Sequence, residues 1–282
     1  MFNNGMQVRH RARPEWGVGS VTRAETITRP NGRDQRLWIK FANAGLKTLL
    51  ASVADLEIIE GNAAAEHTFA ARENASECIV SPPSLPTALY VPDAVTPAHE
   101  AALLRLFDTA PWTRLRARSL QQYGGSPSAA GLENATPLPR FLSALCASLV
   151  RAGVFDADAP PNHVLVNAYA ADEGIVAHTD GPCYLPVVAT LSLGEDAVMR
   201  YSALRRAEDT GADDAVRVAG VGDVVLRARS LVVTRDALYT AHAHEIVADA
   251  DARIGSVLFN GAASGASAGG TVSRTRTRVS IT

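Results

Sequence analysis

His178, Thr179 and Asp180 stand where a short apolar run, GIVAH, meets a turn, DGP. In an extended strand residues i and i+2 share a face, so the imidazole and the carboxylate converge. Two neutral imidazoles and one carboxylate on one face of a metal leave coordination positions open opposite, the arrangement that suits non-haem iron(II) and an oxidant. The tripeptide alone is a thin signal. With 7 histidines and acids at about one residue in ten, about one H-x-[DE] arises by chance, and a turn capped by Asp reads the same way.

Its company makes it specific. A later strand, YTAHAHEI, carries His242 and His244 at i and i+2, either of which can supply the second imidazole. About thirty residues on, RTRTRVSIT places Arg278 and Ser280 in a terminal strand. A guanidinium fork there suits the carboxylate of an organic diacid, because it binds bidentately. Upstream, VLVNAYA offers Asn167 and Tyr169 on one face. The order N-x-Y, H-x-D, H, R-x-S is far more selective than any one part of it. Taken singly, Tyr169 fits a core position and Arg278 a solvated one.

The elements that must hold these groups are mostly strands. Residues 1–60 divide into short apolar runs with Gly, Pro and Asn between them, with Trp16, Trp38 and Phe41 as candidate core. Residues 61–87 are Ala-rich, then Pro/Ser-rich, and read as a linker. From Ala88 a strand leads into a helix whose N-terminus is marked by Thr96, Pro97 and Glu100. PLPRFLSALCASLVRAGVF is a second amphipathic helix, and about seven short strands follow, among them DVVLRARSLVVTRD. AEDTGADDAV and ADADARIGSVLFNGAASGASAGGT have the composition of surface loops. Two helices and then strands predict a mainly β sandwich or open barrel flanked by helices.

Bulk properties exclude several classes. With 282 residues, 47% hydrophobic and 20% charged, the chain has material for a large buried core. No apolar run reaches membrane-span length and the first residues lack a signal peptide's apolar stretch, so a soluble intracellular protein, nuclear or cytoplasmic, is expected. The three widely spaced cysteines, Cys78, Cys146 and Cys183, argue against a disulfide framework or zinc ribbon. Between Gln7 and Lys47, nine Lys or Arg face only Glu15, Glu25 and Asp34, a net +6 that suits phosphates or is a solvated charged face.

NHVLVNAYAADEGIVAHTDGPCYLPVVATLSLG resembles the catalytic core of the AlkB family, and within it the AlkB homologue 6 type. YVPDAVTPAHEAALL, RSLQQYGGSP, LPRFLSAL, RSLVVTRDALYTAHAHEI and TRVSIT fall in the family's order, so the resemblance spans about residues 88–282. It implies a double-stranded β-helix (jelly-roll) dioxygenase domain that uses Fe(II) and 2-oxoglutarate to dealkylate bases, with single-stranded or alkylated DNA or RNA as partner and a monomer as its state. A target on a protein or small molecule, or an idle nucleic-acid-binding module, are the alternatives. Carried over, His178, Asp180 and His244 resemble the iron ligands, the HEI context favouring His244 over His242. Arg278 matches the grip on the distal carboxylate, Asn167 and Tyr169 match further co-substrate contacts, and Ser280 stands where many relatives have Asn. The family's motif continues to another Arg beyond the position of Thr282, which this sequence does not show; either it is a piece of a longer one or that contact is missing, and 2-oxoglutarate affinity is what it bears on. Gln122 and Tyr123, in the place of the substrate-side loop, and Tyr184, past the metal motif with Cys183, are the substrate candidates. Residues 1–60, through HxxRPEWGVGxV and NAGLKTL, resemble a small SH3- or Tudor-like barrel of the kind appended to nucleic-acid enzymes such as helicases.

Overall fold

The computed structural model describes residue 2 and residues 6–29, 32–59, 88–128, 130–181, 183–204 and 217–282. The expected linker and the AEDTGADDAV loop lie outside the described residues. The chain divides into two compact units, one of Met1–His67 with Pro137–Ala147, the other of Thr68–Thr136 with Ser148–Thr282.

In the first unit, strands β1 (Gln7–His10), β2 (Val18–Arg29), β3 (Gly32–Phe41), β4 (Gly45–Leu50) and β5 (Leu56–Ile59) form an antiparallel sheet in the order β4-β3-β2-β1-β5. The described pairings leave β4 and β5 at the edges, so the sheet is not closed into a ring by hydrogen bonds. Val8, Val21, Leu37, Ile39 and Phe41 are its core, with Trp16 packed against them. Trp38 departs from the expected core. It alternates with Leu37 and Ile39, so it takes the opposite face, where the Arg23 guanidinium lies 4.6 Å from its ring centroid. Four arginines of the basic stretch, Arg11, Arg13, Arg23 and Arg29, already sit within 4.0 Å of a carboxylate.

The second unit opens with β6 (Ala88–Val91) and α1 (Pro97–Asp108). The Thr96 hydroxyl accepts from the His99 N–H at 3.3 Å, and Pro97 occupies the first turn, where no N–H is needed. Strands β7 (Thr113–Arg114), β8 (Ser119–Tyr123), β9 (Ser126–Ser128) and β10 (Gly131–Glu133) precede α2 (Arg140–Arg151), which falls to the first unit as far as Ala147 and buries Leu142, Cys146 and Leu149 at helical spacing. Then come β11 (Val164–Tyr169), β12 (Ile175–His178), β13 (Val187–Leu193), β14 (Ala197–Leu204), β15 (Arg217–Leu226), β16 (Leu231–Arg235), α3 (Asp236–Thr240), β17 (His242–Ile246), β18 (Asp251–Arg253), α4 (Gly261–Ser264), β19 (Thr271–Ser273) and β20 (Arg278–Ile281). DVVLRARSLVVTRD is thus two strands, β15 and β16, separated by a turn in which Arg229 takes a positive φ of 67°.

A seven-stranded sheet runs β6-β16-β13-β20-β11-β8-β7 and a four-stranded sheet runs β12-β17-β14-β15. The chain passes from one to the other at β11–β12, β12–β13, β13–β14, β15–β16 and β16–β17, which is the jelly roll expected. Tyr90, Tyr169 and Val232 of the larger sheet meet Met199, Tyr201, Val224, Leu226 and Ile246 of the smaller in one buried core. The stretch from Ala248 to Thr271, expected as a surface loop, is instead a packed cover. Its Ala252 and Ile254, with Val272 just beyond, bury against Val198 and Val225 on the smaller sheet's other face. Asn260 completes the cover by using its amide as a strand would: Oδ1 accepts from Val225 N at 2.9 Å and Nδ2 donates to Val225 O at 2.8 Å. Small side chains hid this role, because Ala and Gly carry no strong hydrophobic pattern. Among the described residues no helix is long and apolar enough to cross a membrane.

Candidate metal centre and co-substrate pocket

The smaller sheet brings the chemistry together. His178 and His244 are direct cross-strand partners on β12 and β17, with ring centroids 4.5 Å apart. Asp180, two residues past the end of β12, places Oδ1 3.9 Å from His178 Nε2 and 3.8 Å from His244 Nε2. The three ligand atoms lie within 4.8 Å of one another, a span one divalent ion can fill. His178 Nδ1 lies 2.8 Å from the Val176 carbonyl. Only an N–H is stable against a carbonyl, so Nδ1 carries the proton and Nε2 keeps its lone pair for a metal. Burial lowers the His244 pKa, which favours the neutral, ligating form despite the nearby Asp180 charge.

His242, sharing the strand, is not part of this group: its Nδ1 lies 3.0 Å from Ala237 O in the first turn of α3. The turn after Asp180 is held by the Tyr239 hydroxyl, which donates to Gly181 O at 2.8 Å.

Arg278 pairs with Tyr169, and Ser280 with Asn167, across β20 and β11. Cross-strand partners share a face, so all four side chains lie on one side of the larger sheet. Arg278 is completely buried, 5.5 Å from the Tyr169 ring centroid. Its Nη2 donates to Ser192 Oγ at 2.9 Å, while Nε and Nη1 have no partner among the described residues. Burial drives its pKa down to about 10, still charged at neutral pH. A sealed guanidinium with two unanswered donors fits the carboxylate of a diacid. Asn167, also buried, accepts from Arg118 Nε at 2.9 Å through Oδ1.

The substrate candidates divide between two faces of β8. Gln122 pairs with Leu165 and shares the Asn167 face, its Nε2 donating to Gly125 O at 2.5 Å. Tyr123 lies with Gln121 on the opposite face and donates to Gln121 Oε1 at 2.8 Å. Gln121 in turn donates to Phe107 O and Ala110 O at the end of α1, so Tyr123 is not brought to the metal cluster. Tyr184 stacks on His163 with centroids 5.7 Å apart and 29° between planes. The Asp180 charge bears on both Tyr184 and Tyr239, although burial is the larger influence on each. Cys183, next to Tyr184, is a half-buried free thiol. His163, Tyr239, Ser192, Arg118 and Arg274 escaped the sequence reading. Arg118 and Arg274 stand within the quoted RSLQQYGGSP and RTRTRVSIT but were given no role there, and only the fold reveals the neighbours of all five.

Residues 2–59 match the family described as "Protein of unknown function (DUF3553)". Over 200 residues the chain is 32% identical to the Danio rerio protein named "Probable RNA/DNA demethylase ALKBH6", covering 70% of this chain and 84% of that one. A 112-residue stretch is 29% identical to "Uncharacterized protein L905" of Acanthamoeba polyphaga mimivirus, covering 39% of this chain and 53% of the viral protein. Among solved structures, "The structure of OsALKBH1" is similar with a TM-score of 0.43 at 14% identity, covering 69% of this chain and 96% of that one. An oxidoreductase of the 2OG-Fe(II) oxygenase family from Burkholderia pseudomallei gives a TM-score of 0.39 at 14% identity, covering 69% of this chain and 82% of that one. With the identity to the Danio rerio protein extending over most of that relative's length, this chain belongs to the AlkB family of Fe(II)- and 2-oxoglutarate-dependent dioxygenases.

Proposed function

We propose that this dioxygenase removes alkyl groups oxidatively from bases of DNA or RNA, with residues 88–282 as the catalytic domain and residues 1–60 as an appended module. One observation carries the reading: a two-histidine, one-carboxylate cluster shares a jelly roll with a buried arginine that has two unanswered donors. The relative's name, a probable RNA/DNA demethylase, supports the choice of target.

His178, Asp180 and His244 would hold the iron, leaving its opposite side open. Arg278 would grip the distal carboxylate of 2-oxoglutarate, with Tyr169, Asn167 and Ser280 completing the wall. When bound, iron and 2-oxoglutarate would supply the means to use dioxygen, the oxidant, one of whose oxygen atoms would hydroxylate an N-alkyl carbon while the other would end in succinate as the co-substrate loses carbon dioxide. The hydroxylated carbon then separates as an aldehyde, returning the unmodified base. The protein's own work is to orient the diacid, keep His178 in one tautomer and present a flat wall for a planar ring at Tyr184 and His163.

The test is succinate and formaldehyde release from N-methylated oligonucleotides, with the wild type against the double variant His178→Ala/Asp180→Ala. The variant is expected to fold and to release neither product. Equal succinate from both proteins would end the catalytic reading. Formaldehyde from a methylated peptide but from no oligonucleotide would move the target to protein.

A further inference from the structure

Tyr169 is ringed by guanidinium groups. Arg278 approaches from β20, and the charges of Arg278, Arg118 and Arg274 all oppose the effect of burial on its phenol. None of these three arginines forms an ion pair with a carboxylate among the described residues. Arg274 is 2% exposed, and its Nε and Nη1 are unanswered, as are those of Arg278. Asp172, Asp249 and Glu195 bear on Arg274, whereas the charges that bear on Arg278 are those of Tyr169 and Arg274, so Arg278 is the buried cation that suits an incoming carboxylate.

Arg118 has the most telling position. Leu120 pairs with Asn167 and Ser119 with Ala168, so one step further Arg118 comes level with Tyr169. Alternation puts Arg118, Leu120 and Gln122 on the face that carries Asn167 and Tyr169. The Arg118 Nε donates to Asn167 Oδ1 at 2.9 Å. A guanidinium can only donate, so the amide oxygen must face it and the amide N–H2 must turn away. The Asn167 amide is thereby held as a donor toward its other neighbours, on the side of β20 and Ser280. Carboxylate and keto oxygens are acceptors, and an amide free to flip could present them with its own oxygen instead.

We propose that Arg118 is a further positioning residue of the co-substrate pocket, fixing the Asn167 amide with its N–H2 toward the bound diacid and adding a second cation beside Arg278. The assignment rests on the dioxygenase reading. It extends the site to the residue immediately before β8, outside the N-x-Y, H-x-D, H, R-x-S pattern.

The experiment is calorimetric titration of 2-oxoglutarate into the full chain loaded with Mn(II), which binds such ligand sets without turnover. The wild type is compared with R118A, R118K, N167A, N167D and R118A/N167A, with thermal melts to establish folding. Loss of an oriented, charge-assisted contact should weaken binding about tenfold or more in R118A, with R118K recovering part of it. N167D should bind worse than N167A, because its carboxylate repels the diacid. The double variant should bind no worse than N167A by more than the lost charge, since the two side chains act as a unit. In turnover, R118A should raise the KM for 2-oxoglutarate more than it lowers kcat. Wild-type affinity in a folded R118A, or full additivity of R118A and N167A, would overturn the proposal. No binding by the wild type would instead overturn the pocket reading, and the proposal with it.

Discussion

A buried guanidinium without a carboxylate is an expensive thing to build, since desolvating one ion costs several kcal/mol or more. Arg278 answers part of that cost with Ser192 and the Tyr169 face. The remainder is best explained by an anion that arrives later. Arg278→Ala should therefore weaken 2-oxoglutarate binding by about 10- to 100-fold, the range expected for charge-assisted hydrogen bonds of about 1.5–3 kcal/mol. Arg278→Lys should rescue little, lacking the fork. Calorimetry against Mn(II)-loaded protein measures both. The two histidines of β17 divide as cleanly. His244→Ala should lose metal, by about 100-fold or more in affinity, whereas His242→Ala breaks only its contact with Ala237 and should keep it. Metal titration of the two variants separates them, and equal losses would show that the cluster is misassigned. At this scale the sequence was most legible where spacing is short: i and i+2 on a strand put Asn167 beside Tyr169 and His178 near Asp180. Periodicity could not choose between His242 and His244, because both share a face and the Ala237 carbonyl that claims His242 lies on another element; the HEI context of the family resemblance favoured His244. Tyr123 was misleading for a similar reason. One step along β8 separates the pocket face from the helix face, and turn composition does not say which is which.

Among the elements, β12 and β17 matter most, because each carries a residue of the metal cluster. Gly174, just before β12, passes so close to β17 that an added Cβ would lie 2.2 Å from Ile246 O and 2.9 Å from Ala248 N. Backbone atoms cannot step aside as a side-chain tip can. Gly174→Ala should destabilise the protein by about 1–3 kcal/mol, in the range of overpacked sites, and weaken metal binding at the same time. A melt and a metal titration on the same sample would show both, and a wild-type metal affinity would mean β12 does not transmit the strain. Asn260→Ala tests the cover over the smaller sheet. It removes two hydrogen bonds to Val225 and leaves that buried backbone unpaired, a loss of about 1–3 kcal/mol in stability with no direct effect on co-substrate affinity. The strands were legible from alternation and β-branched runs, and α1 from its Thr96–Pro97 start. The cover was not, for its buried Ala252, Ile254, Phe259 and Asn260 are scattered among Ala, Gly and Ser without a strand or helix period.

The whole molecule sets two compact units in one chain, and the net +6 of the N-terminal stretch belongs to the first. Glu15, Glu25 and Asp34, which face Arg13, Arg23 and Arg29, are already subtracted in that figure, and only Asp55 and Glu57, which face Arg11, lower the local charge further. If nucleic acid is the target, binding of a single-stranded oligonucleotide should weaken with salt. About three phosphate contacts would give a slope near −2 in log K against log [salt], since each adds about −0.7. A slope of zero, measured by fluorescence anisotropy, would count against a polyanionic substrate. A sandwich or open barrel was legible from the strand count and the jelly roll from the family resemblance; the sheet order was not, because pairing between distant strands leaves no local trace.

One consequence of the smaller sheet reaches beyond catalysis. β12 is pinned to β17 by only two registered pairs, Ile175 with Ile246 and His178 with His244, and the ladder slips between them. A slide by one residue would offer Ala177 or Thr179 where an imidazole is needed. An ion that demands both histidines and Asp180 at once accepts a single alignment, so it would act as an inspector of assembly as well as an oxidant's seat. Metal-starved protein should accordingly exchange its β12 amides quickly, and loading should slow them, at a step that precedes any substrate.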